Sequence, residues 1–201
     1  DSPGPGGMVY QTWRQAVARP ISALALHKAL PAETPEQIAL WLGVGQGMPV
    51  ARATMVFQTV LAERPHAETM ALILADVALA QALKWRHVVP LLGLGLTSRD
   101  LRKDTEELRL ACHRAIPGPA NEVIGLANDL ARRAERLQAI QPKLRAKRAD
   151  KAVKIFLSQD AVMPAALPMP DRAARRLCDR LVDLGVVREL TGRDTFRLYG
   201  V

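Results

Sequence analysis

Asp171-Arg172-Ala173-Ala174-Arg175-Arg176-Leu177-Cys178-Asp179-Arg180-Leu181-Val182-Asp183-Leu184-Gly185 is the stretch whose reading decides the fold. Ala174, Leu177, Cys178, Leu181 and Val182 recur at i, i+3, i+4, i+7 and i+8, the spacing of one helix face. Arg172, Arg175, Arg176, Asp179, Arg180 and Asp183 point elsewhere. Pro170 and Asp171 open the helix, with Asp171 at the N-cap, and Gly185 is the usual left-handed residue past a helix end. The pattern predicts a helix over 171–184 with an apolar stripe and an arginine-bearing outer face.

Downstream, 186–190 and 195–199 read as two short strands, joined by a hairpin turn at Thr191-Gly192-Arg193-Asp194. Upstream, 161–167 reads as a short helix crowded by Pro164 and Pro168. Before it, 143–158 reads as a helix anchored by Leu144, Val153, Ile155, Phe156 and Leu157. Helix, short helix, helix and hairpin is the order of a winged helix-turn-helix. Four arginines on the third helix suit phosphate contacts and bidentate reading of guanine. Asp171 is placed to orient Arg175 or to accept from a cytosine amine, and Arg193 falls at the tip of the wing. Arg188 and Arg197 sit on the wing strands. A solvated arginine face, with Asp179 and Asp183 pairing at i,i+3 and i,i+4, is the competing reading. A winged helix that serves only protein contacts or dimerisation is another.

The rest of the chain is Ala- and Leu-rich, and only 4% of all its residues are aromatic, which favours packed helices over sheets. Helices are expected over 8–18, 21–30, from Pro35 to Gly43, 49–64, 66–84, 97–116 and 120–141, with a short apolar segment at 88–96. Thr34 and Gln37 have capping-box spacing around Pro35. Pro117-Gly118-Pro119 reads as a break, and Pro142 as a kink or end. The domain reading is a linker at 1–7, a helical domain at 8–141 and a winged helix at 143–201. The opening Asp1-Ser2-Pro3-Gly4-Pro5-Gly6-Gly7 is turn-rich and lacks an initiator Met, so the chain is expected to be part of something longer.

The formal charge is +8, a balance that favours polyanionic partners. The excess gathers at the C-terminal end, where 143–201 hold 13 Lys/Arg and 7 Asp/Glu. The densest run, 132–148, has Arg132, Arg133, Arg136, Lys143, Arg145, Lys147 and Arg148 against Glu135 alone. If helical, it would track a phosphate backbone and add affinity without sequence information. The competing reading is a solvated connecting helix.

No cofactor is expected. Gly43–Gly47 lacks the strand and the Gly-Lys-Ser/Thr of a phosphate loop. His27, His66, His87 and His113 are scattered, and Cys112-His113 are adjacent helix residues that do not face each other. Cys112 and Cys178 read as buried reduced thiols of a cytoplasmic protein. Trp85 is expected to plug a helix end. No apolar run is long enough to span a bilayer.

Asp171–Leu177 and Leu184–Arg193 resemble the recognition helix and wing of bacterial winged-helix regulators. Leu190–Gly200, with Trp85 and Val89-Pro90-Leu91-Leu92, resembles an uncharacterised, mostly plasmid-borne alphaproteobacterial family. Its members are helical with a C-terminal helix-turn-helix, and the resemblance covers most of the chain. It implies no activity, only a fold and DNA binding. Pro164, Pro168 and Pro170 depart from a regular helix-turn-helix. The expectation is a mainly α protein that binds duplex DNA through Arg172, Arg175, Arg176, Arg180 and Arg193, with Arg145, Lys147 and Arg148 on phosphates. Homodimerisation is a further possibility, and no membrane partner is expected.

Overall fold

The computed structural model describes residues 4–144, 147–193 and 195–201. The chain forms two compact units, Asp1–Glu122 and Val123–Val201. It is mainly helical, with a two-stranded antiparallel sheet near the C-terminus. Among the described residues, no helix is long and apolar enough to cross a membrane.

The first unit holds α1 (Pro5–Val17), α2 (Ala23–Ala29), α3 (Pro35–Val44), α4 (Pro49–Glu63), α5 (Glu68–Ala82), α6 (Leu91–Gly95) and α7 (Thr105–Ala115). Helix α5 carries small and branched apolar side chains all round, and Ala71 and every residue from Ile73 to Ala80 are buried. Its main neighbour is α4, whose Ala53, Val56, Phe57 and Val60 are buried. Asp76, also buried, accepts from the backbone N–H groups of Leu92 and Gly93, both at 2.9 Å, and so caps α6. A Cβ on Gly93 would lie 2.5 Å from the Trp13 ring, which explains the glycine there.

Several ends differ from the sequence expectation. Helix α1 begins at Pro5, so Pro5-Gly6-Gly7 is helical rather than linker. A proline in the first turn loses no helical hydrogen bond, because that N–H has no partner there. Thr34 Oγ1 does accept from Gln37 N, but the Gln37 side chain donates to Glu63 Oε2 instead of completing a capping box. The helix expected over 97–116 is a 3₁₀ turn at Asp100–Arg102 followed by α7, because Asp104 caps a new start by accepting from Glu107 N. The break expected at Pro117-Gly118-Pro119 falls at Ile116, where α7 ends, and both prolines sit in the first turn of the next helix, α8 (Pro117–Ile140). Trp85 is 40% exposed, and its backbone N–H, not its ring, closes α5 by donating to Ala80 O.

The second unit takes in most of α8, a 3₁₀ turn at Gln141–Lys143, α9 (Ala149–Ser158), a 3₁₀ turn at Pro164–Ala166 and α10 (Asp171–Asp183). It ends with β1 (Arg188–Glu189) and β2 (Tyr199–Gly200). Its core gathers Leu137, Val153, Phe156, Val162, Leu167, Leu177, Leu181, Val187 and Tyr199. Burial of Leu137 there ties the end of α8 to this unit, so the division falls between Glu122 and Val123 rather than at 141–143.

The helix expected over 143–158 starts only at Ala149, after Arg148 in the left-handed region (φ 69°). Leu157, expected as an anchor, is exposed. The helix expected over 161–167 shrinks to one 3₁₀ turn, since Pro164 and Pro168 withhold two N–H donors. Val162 instead exchanges two backbone hydrogen bonds with Tyr199, at 2.8 and 3.0 Å. It thereby adds a bridge beside β2, which pairs with β1 in the register Arg188↔Gly200 and Glu189↔Tyr199. The strands are shorter than expected, and Asp194, the last residue of the expected turn, lies outside the described residues.

Candidate nucleic-acid interface

Helix α10 buries Ala174, Leu177, Cys178 and Leu181 and leaves Val182 exposed, so the apolar stripe is one residue narrower than the spacing suggested. Its N-cap is Pro170, not Asp171. The C-terminus closes as the glycine predicted. Gly185 has φ 66° and donates to Val182 O, while Val186 donates to Leu181 O. Burial raises the Cys178 thiol to about 12, which fits an inert core group rather than a nucleophile.

Arg172, Arg175, Arg176 and Arg180 are all exposed. Arg175 Nε lies 3.0 Å from Asp171 Oδ2, and Arg176 Nε donates to Arg172 O at 3.3 Å. Among the described residues no other ion pair forms on α10, so Asp179 and Asp183 do not neutralise Arg172, Arg176 or Arg180 by contact.

The loop between the strands is organised by Glu189. Its carboxylate accepts from Thr191 N and Gly192 N, each at 2.8 Å, and from the Thr191 hydroxyl. These bonds, the Thr191 hydroxyl first, hold the carboxyl below its ordinary range. Gly192 takes φ 60°, which a glycine adopts without strain. Arg193 is exposed, and its carbonyl accepts from Arg197 Nε at 3.0 Å.

The basic run does not form one helix. Arg132, Arg133 and Arg136 lie on α8, while Lys147 and Arg148 follow the 3₁₀ turn. Lys147 is exposed. Arg148 Nη1 donates to Pro168 O at 3.3 Å and so braces the segment leading into α10. Arg145 lies outside the described residues.

One feature escaped the sequence reading. A cavity of about 720 Å³ opens between α10 and the strand loop, walled by Met163, Asp171, Arg175, Asp179, Phe196 and Tyr199 among others. Phe196 is 85% exposed and has φ 54°, a conformation unfavourable for a side chain of its size. The only sequence signal was an aromatic residue within a turn-rich stretch.

These features define a mainly helical protein whose C-terminal unit presents an arginine face beside a small antiparallel sheet. The chain belongs to the family described as Protein of unknown function (DUF1403), whose model matches residues 1–201. No curated protein and no solved structure matches it.

Proposed function

We propose that the second unit is a winged helix that binds duplex DNA, and that the protein is a transcriptional or plasmid-maintenance regulator. The chain order supports this: α9, the Val162 bridge, a 3₁₀ turn, α10, then β1 and β2. In that reading α10 is the recognition helix and the 190–198 loop is the wing. The observation that carries the proposal is the exposed arginine face of α10, opposite its buried stripe. Arg172, Arg175 and Arg176 occupy the N-terminal half, where such helices meet base edges, and Arg180 lies one turn on. Lys147 and Arg193 contribute charge to the same unit.

The test is fluorescence anisotropy of the full chain with duplexes between ~50 and 200 mM salt. Binding should weaken steeply with salt. Arg172→Ala and Arg176→Ala should each cost ~1–3 kcal/mol on a preferred site and blur discrimination at one base pair. Absence of binding at the low-salt end would sink the reading.

A second reading is a protein-interaction or dimerisation module. The mostly apolar cavity beside Phe196, with Asp171 and Asp179 on its wall, favours it. It predicts no duplex binding, and mass change in solution in place of a salt-dependent DNA complex.

A further inference from the structure

We propose that the hollow walled by Arg132, Arg133, Arg136 and Arg188 binds a phosphate group. None of these side chains belongs to α10, so the inference stands whether or not that helix meets DNA. The hollow has a volume of about 260 Å³ and is completed by Asp129, Gly185, Val186 and Val201. It lies wholly within the second unit.

Arg132 and Arg133 are adjacent in one turn of α8, Arg136 lies on the next turn, and Arg188 comes from β1. Four arginines therefore line the hollow with one carboxylate among them. Asp129 sits one turn upstream and holds two of the four: Arg132 Nη2 at 3.4 Å, and Arg133 Nη2. It fixes their direction without neutralising the group. Arg136 and Arg188 make no ion pair among the described residues.

The four arginines carry more positive charge than Asp129 balances, and an oxyanion in the hollow compensates the remainder. The planar guanidinium fork matches the oxygens of a phosphate, and several forks from different directions suit a tetrahedral anion better than a flat carboxylate. The same charge excludes a cation, and the polar wall gives little grip to an apolar ligand. The phosphate has two possible sources, a small phosphorylated molecule or a nucleic-acid backbone.

The probe is pyrophosphate, titrated calorimetrically into the full chain at low salt. One saturable site is expected. Arg136→Ala and Arg188→Ala should each weaken it about tenfold or more, the loss of one charge-assisted contact. Arg14→Ala removes the same charge from an exposed position in the first unit and should leave the affinity unchanged. Both test residues are exposed, so the variants should keep the melting temperature of the parent, and Arg136→Ala suffices if Arg188→Ala does not fold. A parallel duplex titration separates the sources. Pyrophosphate that competes with duplex, with both variants weakening duplex binding, assigns a backbone phosphate. Pyrophosphate binding lost in the variants with duplex binding intact assigns a small phosphorylated molecule. No saturable pyrophosphate binding together with unchanged duplex binding overturns the proposal, as does equal weakening by Arg14→Ala.

Discussion

Arg175 Nε lies 3.0 Å from Asp171 Oδ2, one helical turn away on the exposed side of α10. Both side chains are largely solvated, so the pair adds under about 1 kcal/mol to folding. Its consequence falls on binding, because Asp171 places a negative charge where a DNA backbone would approach and occupies Arg175. Asp171→Asn should leave the melting temperature nearly unchanged and tighten duplex binding at low salt. Weaker binding would mean that the carboxylate itself contacts the partner, as an acceptor for a cytosine amine does.

Arg193 sits in the loop between the strands and is expected to touch phosphate rather than base. Arg193→Ala should weaken binding to all duplexes alike and reduce the slope of log affinity against log salt by about one. Anisotropy on two unrelated duplexes measures both. A loss confined to one sequence would move Arg193 into the base-reading set.

Phe196 combines a left-handed backbone with near-complete exposure. Folding alone does not favour an aromatic residue there. Phe196→Gly relieves strain of ~1–2 kcal/mol, offset by the greater freedom of glycine in the unfolded chain. Stability should change by less than about 1 kcal/mol while partner binding weakens. Chemical denaturation and anisotropy together check this. Unchanged binding would place Phe196 outside the interface.

Asp76 makes the first unit sensitive to pH. Burial pushes its carboxyl up to about 7, against the lowering effect of the backbone N–H groups it accepts from. A folded value above the unfolded one means that the native state holds the proton more tightly. The resulting stability is present below about pH 4 and is lost as pH rises through 7, at up to about 1.4 kcal/mol per unit. Asp76→Asn removes that titration and one of the two good acceptors. The stability gap between parent and variant should therefore narrow from pH 4 to 7 in urea melts. A constant gap would show that Asp76 is ionised throughout.

Leu137 is fully buried in the second core although it precedes Pro142 by five residues. A fragment of residues 123–201 should fold, by circular dichroism and cooperative melting, whereas 143–201 should not melt cooperatively. Leu137→Ala should destabilise the longer fragment by ~2–5 kcal/mol. Cooperative folding of 143–201 would return the boundary to Pro142.

Local rules carried far in this chain where the physics is local. The Thr34 and Gly185 helix ends, the buried stripe of α10 from Ala174 to Leu181, and the all-round burial of α5 are legible from spacing and residue type. Each depends on backbone geometry within a few residues or on a periodicity of 3.6. Prolines were less legible. Pro117 and Pro119 start a helix, whereas Pro164 and Pro168 frame a single 3₁₀ turn, because the outcome depends on which neighbouring N–H groups already have partners.

By itself the sequence determined a mainly helical chain, its basic C-terminal end and the arginine face of α10. Those follow from composition, charge order and periodicity, which need no knowledge of distant contacts. Only the tertiary structure decided that Val162 pairs with Tyr199, that Leu137 belongs to the second core, and that Asp76 caps α6 from sixteen residues away. It alone brought Arg188 to the arginines of α8 around one hollow. Each of these joins residues far apart in the chain, and whether such pairs meet is set by packing of the whole unit rather than by any pattern in the segments themselves.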